Sequence, residues 1–195
     1  MKVILSGGTG FIGRALTWRL ADRKDQVILL TRNSSAPGQA GVKREVWDAQ
    51  TVGPWAESLE GADAVINFAG EPIANKRWSA AQKERILNSR VQSTRAIIEA
   101  ISKRGKKPAV LVNASAVGYY GNVESGDVAE GRPKGTDFLA DVCDRWEKEA
   151  MRAQEFGVRV VLLRSGIVLE KDGGALKKML PPFQFFAGGP LGSGK

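Results

Sequence analysis

Near its amino terminus the chain reads Val3-Ile4-Leu5-Ser6-Gly7-Gly8-Thr9-Gly10-Phe11-Ile12-Gly13. The apolar run predicts a buried strand, and the residues from Phe11 to Ala21 have the pattern of a helix. The glycines between them fit both Gly8-x-Gly10-x-x-Gly13 and the variant Gly7-x-x-Gly10-x-x-Gly13. Such a turn lets backbone N–H groups approach a pyrophosphate, and the helix amino terminus adds partial positive charge. The stretch therefore predicts a dinucleotide-binding turn.

Short apolar runs alternate with helical patterns along the rest of the chain. Strands are predicted at Gln26–Thr31, Glu45–Trp47, Ala64–Phe68, Val110–Asn113 and Val158–Leu163. One long helix follows Ser79, with Gln82 at capping-box spacing, and another follows Asp137. After Leu163 the alternation ends in a Gly/Pro-rich tail. Apolar strands separated by helices are typical of a parallel sheet covered on both faces, so we predict a doubly wound α/β fold of the Rossmann type.

Composition excludes several kinds of chemistry. The 195 residues contain no His and one Cys, which removes histidine zinc sites and Ser-His-Asp triads, and we predict no metal site. Cys143 lies on the apolar stripe of the second long helix, so we interpret it as a buried hydrophobe rather than a nucleophile. The chain shows no membrane-length apolar run and no signal-peptide pattern. A cytoplasmic protein without a membrane partner is expected.

The basic charge of the chain is unevenly distributed. There are 29 Lys and Arg against 21 Asp and Glu, and the whole net charge of +8 lies in the first 107 residues. A basic half is a feature of nucleic-acid-binding proteins. Here the cations are scattered over several helices without interleaved aromatic residues, so we interpret them as a field for a small anionic ligand and expect no nucleic-acid partner.

The residues after the second strand predict which dinucleotide binds. NAD-binding proteins usually carry an acidic residue there, which holds the ribose 2′-hydroxyl. This chain has Thr31-Arg32 instead. A guanidinium suits a 2′-phosphate, so NADP is the predicted cofactor. The alternative is that Arg32 is a solvent-facing residue at the end of a strand.

Two further glycine-rich segments have different interpretations. Residues 118–135 form a polar loop long enough to act as an active-site flap. Gly189-Pro190-Leu191-Gly192-Ser193-Gly194-Lys195 satisfies the start of a P-loop motif. It follows no clear strand and contains a proline, so we assign it no phosphate site.

Several motifs together resemble the short-chain dehydrogenase/reductase superfamily in its extended, sugar-nucleotide-epimerase-like branch. They are the turn at residues 7–13, Asn67-Phe68-Ala69-Gly70-Glu71-Pro72-Ile73, Arg77-Trp78 with Asn88-Ser89-Arg90, Ser115-Ala116-Val117-Gly118-Tyr119-Tyr120-Gly121, Arg164-Ser165-Gly166-Ile167-Val168-Leu169 and the segment 188–194. The chain is most similar to atypical epimerase-family proteins, sometimes labelled cell-division inhibitor or nucleoside-diphosphate-sugar epimerase. Such proteins continue for roughly another hundred residues. The resemblance therefore implies a dinucleotide-binding domain at 1–165 and the start of an incomplete substrate lobe at 166–195.

The resemblance also implies which residues bind the cofactor. Besides Gly7, Gly8, Thr9, Gly10, Phe11, Ile12 and Gly13 and the pair Thr31 and Arg32, they are Phe68, Ala69, Gly70, Arg85, Arg90, Ser115 and Val168. Phe68, Ala69 and Gly70 would line the adenosine-ribose and pyrophosphate side of the cleft. Arg85 and Arg90 would face the cofactor, and Val168 would approach the nicotinamide.

The sequence departs from the superfamily at its catalytic residues. Active members use a Tyr-x-x-x-Lys pair on the helix that here begins near Asp137, assisted by a Ser and an Asn. Tyr119 and Tyr120 are the only tyrosines, and no lysine follows either at that spacing. The helix offers Phe138 or Leu139, followed by Val142 or Cys143. Arg90 stands where the Asn is expected and only Ser115 remains, so the catalytic residues stay unknown.

Two functions are consistent with these features. The first is an NADP(H)-binding oxidoreductase or epimerase-like protein that acts on a small carbonyl compound or a nucleotide sugar. The second is a catalytically silent NADPH-binding sensor or regulatory scaffold, which the missing Tyr-x-x-x-Lys pair favours. Relatives often pair through their two long helices, so a homodimer is a further expectation.

Overall fold

The structure is a computed structural model that describes residues 1–33, 40–171 and 173–189. The chain divides into two compact units, Met1–Arg164 and Ser165–Lys195. The strands of the sheet are β1 (Lys2–Ser6), β2 (Gln26–Thr31), β3 (Val42–Val46), β4 (Ala64–Asn67), β5 (Val110–Ala116) and β6 (Arg159–Ser165). The helices of the first unit are α1 (Phe11–Asp22), α2 (Ala80–Ser102) and α3 (Phe138–Met151), with short 3₁₀ helices at Pro54–Leu59, Val117–Tyr120 and Arg152–Phe156.

The sheet has the predicted doubly wound topology. Its strand order is β3-β2-β1-β4-β5-β6, and β1 pairs in parallel with both β2 and β4. Chain order therefore reverses between β1 and β4, which opens a crevice at the carboxyl ends of these two strands. The Rossmann-type α/β fold is confirmed, and the glycine turn lies at the crevice because it follows β1 directly.

Apolar side chains cover both faces of the sheet. On one face Ile4, Val65 and Leu111 pack with Ile97 and Ile101 of α2 in a continuous buried cluster. On the other face Val3 and Val27 pack with Leu20 of α1. Because the central strands are buried on both sides, their sequences are almost entirely apolar, and this made them predictable.

The predicted helix starts are confirmed, whereas the bounds of five strands differ from the prediction, and the third and fifth strands differ most. Ser79 accepts a hydrogen bond from the backbone N–H of Gln82 at 3.2 Å, and Asp137 accepts one from Ala140 at 2.8 Å. The third strand, predicted at Glu45–Trp47, spans Val42–Val46, because it is an edge strand whose alternation includes charged residues. The fifth strand, predicted at Val110–Asn113, extends to Ala116. The alternation of buried and half-buried residues continues beyond Asn113, with Ser115 buried.

The second unit corrects the prediction of a tail without regular structure. It contains β7 (Leu169–Glu170) and α4 (Gly174–Gln184), and β7 makes antiparallel bridges to Gly173 and Gly174. Prolines normally interrupt helices, so α4 was not predicted from a sequence that contains Pro181 and Pro182. All but the first residue of the P-loop-like segment lie outside the described residues. Within the described ranges, no helix has the length and apolar character needed to cross a bilayer.

Candidate functional site

The glycine turn is shaped by close backbone contacts. Gly7 has a left-handed φ of 71°, and a Cβ there would lie 2.4 Å from the carbonyl oxygen of Phe68 on the exit of β4. A Cβ on Gly13 would lie 2.3 Å from the Gly7 oxygen. Gly8 also has no room for a side chain, because a Cβ there would lie 2.3 Å from the side chain of Leu29. Gly7 and Gly13 therefore let the turn, α1 and β4 approach one another.

Gly10 has a different environment from the other glycines of the turn. Among the residues that the structure describes, apart from the two chain neighbours, a Cβ at this position would lie within 4 Å of the Gly7 oxygen alone, at 3.2 Å. Gly10 is also the N-cap of α1, where no side chain caps the helix and no acidic residue lies in the first turn. The amino terminus of α1 thus keeps backbone donors and partial positive charge for an anionic ligand. This geometry fits the pyrophosphate of a dinucleotide.

A cleft of about 710 Å³ extends from this turn. Its walls come from the ends of β1, β2 and β4, the segment after β3 and the amino-terminal half of α2. It brings together the predicted residues Gly7, Thr9, Gly10, Thr31, Arg32, Phe68, Ala69, Gly70 and Arg85. Pockets of small-molecule and cofactor sites occupy about 300–1,000 Å³, so the cleft has the size of a ligand site.

The structure adds lining residues that the sequence did not indicate. Trp47, Asp48, Ala49 and Gln50 follow β3, and Glu71, Pro72, Asn88, Ser89 and Gln92 follow β4 or lie on α2. Hydrogen bonds to the Thr51 hydroxyl and to the amides of Thr51 and Gln50 lower the pKa of Asp48 and hold its carboxylate in a turn. Residues 47–50 were not predicted to line the cleft, because the third strand was predicted too far along the chain and included Trp47.

A buried hydrogen-bond network supports the sheet beneath the cleft. Asn67, fully buried at the end of β4, accepts from Ser6 at 2.6 Å and donates to Thr94 and Asn113 at 2.9 and 2.7 Å. Its side-chain oxygen also accepts from the backbone N–H of Ala69 at 3.2 Å. The network joins β1, β4, β5 and α2, so it fixes the position of the Phe68–Gly70 segment that lines the cleft.

Ser115 belongs to a second network, at the carboxyl ends of β5 and β6. Its hydroxyl donates to the buried Glu147 carboxylate of α3 at 2.5 Å, and Arg164 donates two bonds to the same carboxylate at 2.8 Å each. Arg164 also donates to the Tyr120 hydroxyl at 2.8 Å and lies 3.6 Å from the Tyr119 ring centroid. The bonds to Glu147 raise the pKa of Arg164. None of these residues lines the cleft.

The candidates for the Tyr-x-x-x-Lys positions on α3 have different surroundings. Leu139 lies against Gly118, in the 3₁₀ helix that follows β5. Phe138 instead packs on Trp78, with ring centroids 5.5 Å apart. Neither position holds a tyrosine. Cys143 is buried as predicted, and burial raises the pKa of its thiol.

The other predicted residues of the first unit are not among the described residues that line the cleft. Arg90 donates to the carbonyl oxygens of Glu71 and Ile86 at 3.0 and 2.9 Å, and its pKa is lowered by burial. It packs behind Gly70, whose Cβ would meet the Arg90 guanidinium carbon at 3.0 Å. Val168 is an exposed residue of the second unit, before β7. Gly8, Phe11, Ile12 and Gly13 form the turn and the first turn of α1, and Ser115 is in the second network.

Comparisons with known proteins agree with this architecture. Residues 3–166 match the model of the NAD dependent epimerase/dehydratase family. The chain is 44% identical to the chloroplastic epimerase family protein SDR39U1 homolog of Arabidopsis thaliana, and 38% identical to the epimerase family protein SH2119 of Staphylococcus haemolyticus. These alignments cover 100% and 99% of this chain, which spans 57% and 64% of the relatives' lengths.

A solved structure shares both fold and sequence with the chain. The crystal structure of human epimerase family protein SDR39U1 with NADPH is 38% identical, has a TM-score of 0.84, and is matched over 100% of this chain and 63% of its own. The family match covers most of the chain, including the glycine turn and both networks. The chain therefore belongs to the NAD dependent epimerase/dehydratase family.

Proposed function

We propose that this chain is the nucleotide-binding part of an NADP(H)-binding oxidoreductase or epimerase-like protein. The observation that carries the proposal is the cleft at the glycine turn, where an uncapped helix amino terminus and Arg32 line the same space. The human relative was crystallised with NADPH, which supports the same cofactor here. Bound NADPH supplies hydride, and the residues of this chain hold its phosphates and ribose. The substrate class proposed is a small carbonyl compound or a nucleotide sugar.

The test is a titration of the purified protein with NADPH, followed by assays of cofactor oxidation with a panel of carbonyl compounds and nucleotide sugars. Saturable NADPH binding is expected. Failure to bind NADPH, with an intact fold shown by circular dichroism, would refute the cofactor assignment. Turnover with any member of the panel would favour the enzyme over the sensor described below.

Arg32 is expected to determine the preference for NADPH over NADH. It is exposed at the cleft, and within the described part of the chain it forms no hydrogen bond or ion pair. A hydrogen bond to a charged partner contributes about 1.5–3 kcal/mol, so the preference should be about ten- to a hundredfold. Arg32→Ala should weaken NADPH by that factor and leave NADH unchanged, and Arg32→Asp should favour NADH. Equal affinity of the parent protein for both cofactors would contradict this role.

A second candidate function is an NADPH-binding sensor or regulatory scaffold without turnover. The observation that favours it is that α3 has Phe138, Leu139, Val142 and Cys143 at the candidate positions, where active members have a Tyr and a Lys. The three apolar side chains cannot donate a proton, and burial raises the pKa of the Cys143 thiol. The Ser115 hydroxyl already donates its hydrogen bond to the Glu147 carboxylate. Tight NADPH binding without turnover by the full-length protein would support this candidate.

Replacing either tyrosine is expected to leave cofactor binding intact. The Tyr120 hydroxyl accepts from Arg164, outside the cleft lining, and the Tyr119 ring packs on the same guanidinium. Tyr120→Phe should lower the free energy of unfolding by about 1 kcal/mol, because one hydrogen bond is lost. NADPH titration and urea unfolding of both Phe variants test this. Loss of a measured hydride-transfer activity in either variant, with binding retained, would instead make that tyrosine catalytic.

The other sequence predictions remain predictions. They include the cofactor roles of the individual site residues, the boundary near residue 165 between the dinucleotide-binding domain and the substrate lobe, the homodimer, the absence of nucleic-acid partners and the cytoplasmic location.

A further inference from the structure

Two consecutive side chains of α2 hold the wall of the cleft that follows β4. Gly70 and Glu71 line the cleft and belong to neither a strand nor a helix, so their backbone polar groups need partners outside the sheet. The Glu71 N–H donates to the Ser89 hydroxyl at 2.9 Å, and the Glu71 carbonyl oxygen accepts from Nη1 of Arg90 at 3.0 Å. The wall at residues 70–71 is therefore attached to α2 through both backbone groups of Glu71.

Both attachments lead to the same point in the helix. The Ser89 hydroxyl donates to the carbonyl oxygen of Ile86 at 3.2 Å, and Arg90 Nη1 donates to the same oxygen at 2.9 Å. Ile86 is fully buried. Because protein interiors are close-packed, a helix segment anchored there has little freedom to shift. The two side chains thus connect the wall of the cleft to the protein core.

The Arg90 guanidinium is itself confined. Its carbon lies 5.1 Å from the ring centroid of Trp146, in a cation–π contact. A Cβ on Gly70 would lie 3.0 Å from that carbon and 3.2 Å from Nη1, the atom that donates to both carbonyl oxygens. A side chain at position 70 would therefore displace the group that holds the wall, and glycine leaves room for that group.

We propose that Arg90 is a positioning residue of the cofactor site. It acts through the wall at residues 70–71, which it holds at the spacing that the cofactor needs, and it does not touch the cofactor. The family resemblance implies a direct contact instead, so the two roles give different expectations. This inference rests on the proposed binding of NADPH. The pyrophosphate and ribose, which we place at this wall, are common to NADPH and NADH.

The first measurement is the affinity of Arg90→Ala for NADPH and for NADH, by isothermal titration. Both affinities should fall about tenfold, because the wall loses a hydrogen bond from a charged donor. The fold-loss should be the same at low and high salt, since the acceptors of Arg90 are uncharged carbonyl oxygens. Arg90→Lys should lose less affinity, because its ammonium group keeps a charged donor at this position. A guanidinium that contacted a phosphate directly would give a loss that shrinks as salt rises.

A double-mutant cycle tests the coupling between Arg90 and Gly70. In the parent protein Gly70→Ala should weaken both cofactors about tenfold, because the new Cβ displaces the guanidinium. In the Arg90→Ala background the same substitution should have little effect, since the guanidinium is gone. If Arg90→Ala fails to fold, the cycle is made with Arg90→Lys, whose flexible chain can withdraw from the new Cβ. Additive losses in the cycle would overturn the inference.

Arg104→Ala is the matched control. Arg104 follows the carboxyl end of α2, away from the residues that line the cleft, and its side chain is 17% exposed. The substitution should lower the free energy of unfolding and leave both affinities unchanged, which separates positioning from a loss of stability. A folded Arg90→Ala variant with the parent's affinities, or with a salt-dependent loss, would overturn the inference while NADPH binding stands. A parent protein that binds neither cofactor would refute the proposed function itself.

Discussion

Replacing Gly10 with valine is expected to abolish NADPH binding while leaving the protein folded. Within the described part of the chain, the new Cβ would meet the Gly7 oxygen alone, at 3.2 Å, so a small shift accommodates it. The rest of the side chain would project into the cleft beside the amino terminus of α1, where we place the pyrophosphate. Losing two hydrogen bonds to a charged phosphate, at about 1.5–3 kcal/mol each, corresponds to a fall in affinity of at least about a hundredfold.

Two other glycines separate a binding effect from a folding effect. Gly131→Val places the same side chain on an exposed loop. A Cβ there meets no atom of the described residues within 4 Å, so binding and stability should both be retained. Gly13→Val should unfold the protein, because its Cβ would lie 2.3 Å from the Gly7 oxygen and 2.6 Å from the Gly8 Cα. The measurements are isothermal titration with NADPH and urea unfolding. A folded Gly10→Val variant with the parent's affinity would show that the pyrophosphate lies elsewhere.

Removing the Glu147 carboxylate is expected to cause a large loss of stability in a protein that still folds. Glu147→Ala leaves the Arg164 side chain, 18% exposed, without its counter-charge, and it leaves the Ser115 hydroxyl without its acceptor. Breaking one partner of a buried ion pair costs about 3–5 kcal/mol. We expect a loss of that size in the free energy of unfolding, measured by urea denaturation.

The double variant Glu147→Leu with Arg164→Met should be more stable than either single variant. Its side chains are apolar, so no buried charge is left without a partner. Asp141, on the same helix as Glu147, offers the matched surface control. Its side chain and that of its ion-pair partner Arg145 are 41% and 57% exposed, so Asp141→Ala should cost at most about 1 kcal/mol. Additive effects of the two single substitutions would contradict the coupling between Glu147 and Arg164.

Local sequence alone predicted much of the fold and of the cleft. The central strands are apolar throughout because they are buried on both faces, and Ser79 and Asp137 cap their helices through bonds three residues away. The glycine turn was also predictable from the local sequence. Its contacts are local except for those of Gly7 with Phe68 and of Gly8 with Leu29, and they require glycine at fixed spacing. Edge strand β3 was misplaced and helix α4 was missed, because charged residues and prolines obscured their periodicity.

Only the tertiary structure decided which distant residues meet. Residues 47–50 and the first turns of α2 line one cleft because the strand order brings the ends of β3, β2, β1 and β4 to the same edge. Glu147, Arg164 and Ser115 come from three separate elements, and no spacing in the sequence relates them. The different surroundings of Phe138 and Leu139 depend on how α3 packs against neighbouring elements. Sequence periodicity specifies elements and their buried faces, whereas pairings between elements depend on packing across the sheet.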